Sequence, residues 1–129
     1  MDVMTGRPRV LIAEDDRLIA ELMHDVLEED FRVETASNGL DAVSKARRRR
    51  PDVVLMDAEM PEMDGYEACR ALRRRPETAG VPIIFVTAKT HPVAINKAFE
   101  AGATDYLPKP FSIAQLRARA HTWLMRGAR

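Results

Sequence analysis

The chain has 129 residues, of which 46% are apolar and 31% charged, and its formal net charge is zero. A chain of this length and composition folds as one globular domain, so disordered and fibrous proteins are excluded. Zero net charge gives no general attraction to nucleic acid or to an anionic membrane. The single cysteine, Cys69, cannot form an internal disulfide, and no apolar stretch is long enough to span a bilayer. Because residues 1–9 carry no apolar secretory signal, we expect a cytoplasmic protein.

Short apolar runs alternate along the chain with segments in which apolar residues recur at helical spacing. Such runs are typical of buried strands, and here they cover residues 10–13, 52–57 and 83–87. Residues 31–36 alternate between the two sides of a strand, and residues 104–108 are expected to form a short fifth strand. Capping residues mark the starts of the helices: Asp16, Asn38, the pair Asp64 and Glu67, Pro92, and the pair Ser112 and Gln115. Gly102 is expected to end the fourth helix.

Each predicted helix has an apolar face that we expect to pack on the sheet. The residues expected on the inner faces of the second, fourth and fifth helices are Leu40, Val43, Ala46, Ile95, Ala98, Phe99, Ile113, Leu116, Ala120 and Leu124. Five strands alternating with five helices predict an α/β domain with a doubly wound parallel sheet covered on both sides. We expect this domain to span residues 9–126, with short tails at 1–8 and 127–129.

Polar residues follow four of the predicted strands, at the edge of a doubly wound sheet where ligands bind. These residues are Glu14 and Asp15 after the first strand, Asp57 after the third, Thr87 at the end of the fourth and Lys109 after the fifth. Carboxylates gathered in one place raise one another's pKa unless a cation lies among them. Oxygen ligands of this kind suit Mg²⁺, which also keeps room for a phosphate group.

A hydroxyl and an ammonium group beside such carboxylates suit the oxygens of a phosphoryl group. The sequence therefore predicts phosphoryl transfer to Asp57, which would form an acyl phosphate. The metal ion and Lys109 would offset the negative charge as the carboxylate approaches phosphorus. Asp16, next to the acidic pair, is expected only to cap the first helix.

These motifs resemble the receiver domain of response regulators in two-component signalling, and the resemblance extends over residues 9–125. It rests on Glu14-Asp15 after VLIA, Asp57 in LMDAEMPEMDG, Thr87-Ala88 after IIFV, and Lys109-Pro110-Phe111 after DYLP. The resemblance implies a flavodoxin-like (βα)5 fold similar to chemotaxis regulators, with strand order 2-1-3-4-5.

The resemblance also implies the metal ligands and the phosphoacceptor. Asp57 would accept the phosphoryl group and, with Asp15 and the backbone carbonyl of Glu59, would bind Mg²⁺ directly. Glu14 would act mainly through water.

Further roles follow from the same resemblance. Thr87 and Lys109 would contact the phosphoryl group, and Tyr106 would be the switch aromatic that turns inward when Thr87 moves. The Lys109–Pro110 peptide would be cis. Glu59 and Lys89 would flank the path of the hydrolytic water and so tune the lifetime of the acyl phosphate.

The partners implied are a sensor histidine kinase or a histidine phosphotransfer protein as donor, and a downstream effector that reads the surface of the fourth helix, fifth strand and fifth helix. The domain would be a switch rather than an enzyme, acting only on its own phosphoryl group, either as a stand-alone regulator or as the N-terminal receiver of a longer one. Asp105 and Arg119 suit the charged pairs by which some relatives form phosphorylation-dependent homodimers. Thr104 and Gln115 stand where those relatives usually carry acids.

Two arginine runs, Arg47–Arg50 and Arg73–Arg75, lie at predicted helix C-termini, where cations suit the helix dipole. We therefore predict no direct contact with nucleic acid.

Two other classes remain as alternatives to a receiver domain. A phosphatase with an aspartyl-phosphate intermediate would use an acid two residues after the nucleophile, where Glu59 stands, but would lack the Glu14-Asp15 pair. A flavin or nucleotide module would need a first loop rich in Gly, Ser or Thr, whereas acidic residues here would repel phosphate.

Overall fold

The computed structural model describes residues 6–127, and strands and helices alternate through them as predicted. The strands are β1 (Arg9–Ala13), β2 (Arg32–Ala36), β3 (Val53–Met56), β4 (Ile83–Thr87) and β5 (Asp105–Pro108). The helices are α1 (Arg17–Leu27), α2 (Gly39–Arg48), α3 (Gly65–Arg73), α4 (Pro92–Ala101) and α5 (Ile113–Gly127). None of these helices is both long and apolar enough to cross a membrane.

The strands form one parallel sheet in the order β2-β1-β3-β4-β5, which confirms the predicted fold class and topology. Ala13 pairs in register with Met56, and Thr87 with Pro108. Since the strands are parallel and in this register, the residues that follow β1, β3, β4 and β5 emerge at the same edge of the sheet.

The three inner strands, β1, β3 and β4, are buried on both faces, which explains why they read as continuous apolar runs. Successive residues point to opposite faces, so each strand contributes to two separate cores. One core includes Leu11, Val54, Met56, Ile83 and Phe85 and is covered by α2, α3 and α4. The other includes Val10, Ile12, Leu55, Ile84 and Val86 and is covered by α1 and α5.

The capping residues act as the sequence predicted. The Asp16 side chain accepts hydrogen bonds from the amides of Leu18 and Ile19, and Asp64 forms a complete capping box with Glu67. Pro92 begins α4, and Gly102 ends it with a positive φ of 114°. A positive φ strains residues with a Cβ, so glycine suits this position.

Three of the apolar residues expected on inner helix faces are exposed, and the expectation was wrong for them. Leu40 is 51% exposed because it lies in the first turn of α2 and faces a groove toward α3. Ile113 is 51% exposed because it is the first residue of α5, ahead of the turns that pack on the sheet. Phe99 is 45% exposed because α4 turns only Ala98 and Ala101 fully to the core.

One half-buried arginine, Arg73, ties two loops together at the end of α3. Its guanidinium donates to the carbonyls of Gly102, Ala79 and Val81 at 2.9, 2.9 and 2.6 Å, and to Thr104 Oγ1 at 3.2 Å. The planar fork of arginine supplies several donors in fixed directions. Arg73 therefore satisfies backbone carbonyls in both the α3–β4 and the α4–β5 connections.

We predict that Arg73→Lys lowers the free energy of unfolding by about 2 kcal/mol, because a single ammonium leaves several of these carbonyls without a donor. Urea unfolding followed by circular dichroism measures the loss. Arg74→Lys, at the exposed neighbouring position, is the matched control and should change stability by less than ~0.5 kcal/mol. Equal losses for both variants would contradict the role assigned to Arg73.

Candidate functional site at the carboxyl ends of the strands

Asp57 is fixed in place by the backbone immediately after β3. Its amide donates to the carbonyl of Ala13 at 3.0 Å, which continues the β1–β3 ladder by one residue. The following turn packs closely on it, since a Cβ at Gly65 would lie only 2.1 Å from the carbonyl oxygen of Asp57. Asp57 is 9% exposed, so its carboxylate is held rigidly with a small opening to solvent.

Lys109 joins the ends of three strands through its ammonium group. Nζ lies 2.6 Å from Glu14 Oε1 and 3.2 Å from Asp57 Oδ2. The backbone amide of Lys109 donates to the carbonyl of Thr87 at 2.9 Å, and the Lys109–Pro110 peptide is cis, as the resemblance implied. The side chains of Glu14 and Lys109 are only 2% and 15% exposed, so this pairing is largely shielded from solvent.

Burial and pairing act in opposite directions on these two groups. Burial raises the pKa of Glu14, and the hydrogen bond from Lys109 partly opposes that increase. Burial also disfavours the charged form of Lys109, but the bond to Glu14 and the charge of Asp57 outweigh it and leave the pKa of Lys109 raised. Lys109 is therefore a fixed positive charge at neutral pH.

Three carboxylates lie close enough together to share one metal ion. Oxygen atoms of Glu14, Asp15 and Asp57 are within 4.8 Å of one another. Asp15 is exposed, whereas the other two are buried, so the group opens toward solvent on one side. Asp16 is excluded from the group, since its side chain caps α1 and its amide donates to Glu14 Oε2 at 3.0 Å. An all-oxygen donor set of this kind fits a hard divalent cation such as Mg²⁺.

Thr87, Glu59 and Lys89 complete the surroundings of Asp57. Thr87 is 1% exposed, and its hydroxyl accepts a hydrogen bond from the amide of Lys89 at 3.3 Å. The Glu59 amide points to Asp57 Oδ1 at 3.4 Å, and the Glu59 carboxylate pairs with Lys89 Nζ at 3.2 Å. The sequence singled out both members of this ion pair but not their contact, which depends on the directions of two exposed side chains.

Tyr106 points into the molecule, toward the core beneath α3 and α4. Its hydroxyl oxygen is buried and has no hydrogen-bond partner within residues 6–127. Burial raises the pKa of Tyr106, and the nearby Tyr66 and Asp57 raise it further. A buried hydroxyl without a partner is unfavourable, so the inward position of this ring is weakly held.

Asp105 connects β5 with α5 through contacts that the sequence did not reveal. One oxygen, Oδ2, accepts from Arg119 Nη1 at 3.1 Å and from Trp123 Nε1 at 2.8 Å, and the other accepts from the amide of Tyr106 at 2.8 Å. Asp105 and Arg119, which suit a dimer of two copies, thus pair with each other inside one chain. Dimerisation through them stays a prediction.

An apolar groove lies beside the carboxylates, between α1 and the segment after β5. Its lining includes Ile19 and Leu22 from α1, together with Lys109, Pro110 and Phe111. Leu22 is 47% exposed, and Leu18, one turn earlier, is 78% exposed. The helical periodicity of α1 indicated an amphipathic helix but not that part of its apolar surface would remain open next to the site.

The fold and the grouped side chains are those of a signalling receiver domain, and comparison with known proteins agrees. The family model described as the response regulator receiver domain matches residues 10–121. The chain therefore belongs to this family of two-component switch domains. This decides among the three classes that the sequence left open, in favour of the receiver domain.

Individual relatives support the same assignment. The DNA-binding response regulator MtrA of Mycobacterium tuberculosis is 41% identical over 127 residues, which are 98% of this chain and 54% of MtrA. The chain thus spans about half the length of this curated relative. Among solved structures, the receiver domain of sensor histidine kinase PA1611 from Pseudomonas aeruginosa, with a magnesium ion in its active site cleft, superposes with a TM-score of 0.87 at 33% identity, covering 93% of this chain and 99% of that one. Chemotaxis protein CheY4 of Vibrio cholerae superposes with a TM-score of 0.86 at 31% identity, covering 91% of this chain and 98% of that one.

We predict that Lys109→Met lowers the free energy of unfolding by about 3 kcal/mol at neutral pH, because two buried carboxylates lose their cation. In this variant the folded-state pKa of Glu14 lies above its unfolded value, so the folded chain binds more protons than the unfolded chain does. Its stability should therefore increase as the pH falls toward the unfolded pKa, and the difference from wild type should be smaller at about pH 5 than at about pH 7.5.

Urea unfolding at the two pH values measures this difference. Lys89→Met, which removes only the exposed pair with Glu59, is the matched control and should cost less than ~1 kcal/mol. A loss for Lys109→Met that is small or independent of pH would contradict the electrostatic role of Lys109.

Proposed function

We propose that the chain is a phosphoacceptor switch in which Asp57 takes a phosphoryl group from a phosphohistidine of a sensor histidine kinase or a histidine phosphotransfer protein. The observation that carries this proposal is the position of Lys109 Nζ, between the buried carboxylates of Glu14 and Asp57. A fixed cation beside one solvent-accessible carboxylate oxygen is what the transfer of a charged phosphoryl group requires.

The transfer forms one bond and breaks another. An oxygen of Asp57 attacks phosphorus, the bond between phosphorus and the donor's imidazole nitrogen breaks, and that nitrogen regains a proton from solvent. Lys109 offsets the negative charge that the two reactants bring together. Mg²⁺, bound by Asp15, Asp57 and the backbone carbonyl of Glu59, with Glu14 acting through water, would neutralise the phosphoryl oxygens. Later attack by water releases phosphate, at a rate that the Glu59–Lys89 pair tunes.

The donor protein docks on the apolar groove between α1 and the segment after β5. The groove adjoins Lys109 and exposes Leu22 and Phe111 next to the carboxylates. A single phosphohistidine gives little contact area, so a protein donor needs an apolar surface close to the site.

The acyl phosphate then changes a surface on the far side of Thr87. The phosphoryl group adds roughly −1.5 to −2 charge, which attracts the Thr87 hydroxyl and the Lys109 ammonium. Movement of Thr87 changes the space available to the weakly held ring of Tyr106. Helix α4 then shifts with Thr87 and Tyr106, because only Ala98 and Ala101 among its 10 residues are buried. A downstream effector, in another protein or in the remainder of a longer chain, reads the α4-β5-α5 surface, and a homodimer through the same surface is one form of that readout.

We predict that a small phosphodonor such as acetyl phosphate adds one phosphoryl group to the wild-type chain when Mg²⁺ is present. Asp57→Ala should gain none, because its side chain has no nucleophile, and chelation of Mg²⁺ should abolish labelling of the wild type. Intact-protein mass spectrometry measures the addition. Asp25→Ala removes an exposed acid in the last turn of α1, outside the group of three carboxylates, and should label like wild type. Labelling of Asp57→Ala, or its absence from wild type, would refute the proposal.

We predict a fluorescence change at Trp123 when beryllium fluoride and Mg²⁺ are added, since Trp123 is the one tryptophan of the chain and its indole binds Asp105 on the proposed output surface. Thr87→Ala should reduce this change by more than about half, because the hydroxyl that relays the phosphoryl group is gone. Asp57 of this variant should still be phosphorylated.

Thr90→Ala, at an exposed position three residues further on, is the matched control and should keep the full change. A full fluorescence response in Thr87→Ala would rule out the proposed route through Thr87.

A further inference from the structure

A second groove lies between α2 and α3, away from the carboxylates. One stripe of α2 lines it with Leu40, Val43, Ser44, Arg47 and Arg48, spaced three and four residues apart as on one helix face. Met63 and Ala71 line the opposite side, and the groove, which is open to solvent, has a volume of about 620 Å³. Because Ala71 has a short side chain and Leu40 is half exposed, apolar surface remains open here.

One end of this groove is strongly basic. Helices α2 and α3 run opposite to the strands, so their C-terminal ends lie together at the edge of the sheet far from Asp57. The exposed arginines at these two ends are Arg47, Arg48, Arg49, Arg50, Arg70, Arg74 and Arg75. Arg74 follows Ala71 by three residues, which directs it to the same side of α3 as the groove.

Most of these arginines have no acidic partner in the part of the chain that the structure describes. Among residues 6–127, only Arg48 of this set forms an ion pair, with Glu34 at 3.7 Å, and Arg50 donates to the carbonyl of Glu77. Within residues 6–127, the other five arginines lie more than 4.0 Å from any carboxylate. The helix dipole accounts for a cation in each last turn. It does not account for Arg49 and Arg75, which lie beyond the helix ends.

We propose that this groove binds an acidic amphipathic helix of a partner protein. The apolar side of such a helix would cover Leu40 and Met63, and its carboxylates would pair with Arg47 and Arg74. Helix α2 has 10 residues and is ~15 Å long, so about three turns of a partner helix match the groove. The surface is separate from Asp57, so binding here does not compete with phosphoryl transfer.

The composition of the groove favours a protein over a nucleic acid. Nucleic-acid backbones bind to arginines without needing an apolar floor, and single strands are usually held by stacking on aromatic rings. No aromatic side chain lines this groove among the described residues. Helix-in-groove recognition, in contrast, uses apolar anchors spaced along one face together with charged flanks.

A labelled helical peptide of ~14 residues tests the proposal, with leucines at helical spacing and glutamates on both flanks. We expect fluorescence anisotropy to give a dissociation constant on the order of 10 μM for the wild-type chain. Arg47→Glu should weaken binding by at least about tenfold, and Leu40→Gln by about fivefold. The same peptide with its glutamates changed to lysines should not bind.

Matched controls lie on α5, where Arg126 is also an exposed arginine in a last helical turn and Met125 is an exposed apolar residue. Arg126→Glu and Met125→Gln should change the affinity by less than about twofold. Thermal unfolding of every variant verifies that it is folded.

Three results would overturn the proposal. The first is failure of the acidic peptide to bind, or binding that survives both groove variants. The second is binding of a DNA duplex that Arg47→Glu weakens and Leu40→Gln leaves intact, because that would assign the surface to phosphates. The third is self-association in sedimentation velocity that the same two variants abolish, because the occupant would then be a second copy of this chain.

Discussion

The arrangement at the carboxyl edge depends on the contact of one ammonium group with two buried carboxylates. Glu14 and Asp57 come from neighbouring strands and would repel each other in a site that excludes most water. Lys109 Nζ lies between them at 2.6 and 3.2 Å, and its backbone amide is bonded to the end of β4. This contact orders the loops after β1, β3 and β5 around one small volume. It also leaves Asp15, the most exposed acid of the group, directed toward solvent where a metal ion or a phosphoryl group can approach.

The sequence predicts the fold well because burial on both faces of a parallel sheet requires continuous apolar strands. Runs such as Val53–Met56 and Ile83–Val86 therefore identify the central strands directly, and polar residues after them identify the site. The contacts and exposure of side chains outside the core are not predicted, because they depend on side-chain direction. The Glu59–Lys89 pair, the bond from Trp123 to Asp105 and the open position of Leu40 are of this kind. Periodicity places Leu40 on the apolar stripe of α2 but does not show whether the next helix covers that stripe.

A net charge of zero conceals a strong separation of charge. Acidic residues collect where β1 and β3 end, while arginines, most of them without an acidic partner among residues 6–127, collect where α2 and α3 end, at the opposite edge of the sheet. The topology produces this separation, because strands and helices run in opposite directions and helix dipoles favour cations at C-termini. Bulk charge alone argued against any polyanionic partner. The local distribution instead gives the domain two chemically distinct edges, one suited to a cation such as Mg²⁺ and the other to carboxylates.

The two ends of α4 are held with very different strength, which bears on how the proposed switch would move. At the C-terminal end, Arg73 binds Gly102 and Thr104, so the junction of α4 with β5 is tied to the α3–β4 loop. At the N-terminal end, Val93 is 67% exposed, and none of the α4 residues that precede Ala98 is fully buried. A displacement at Thr87, which precedes this loosely held end, would therefore rotate α4 about its anchored C-terminus rather than shift the whole helix. The surface that changes most would be the first two turns of α4, beside Tyr106, while the arginine-lined edge keeps its shape.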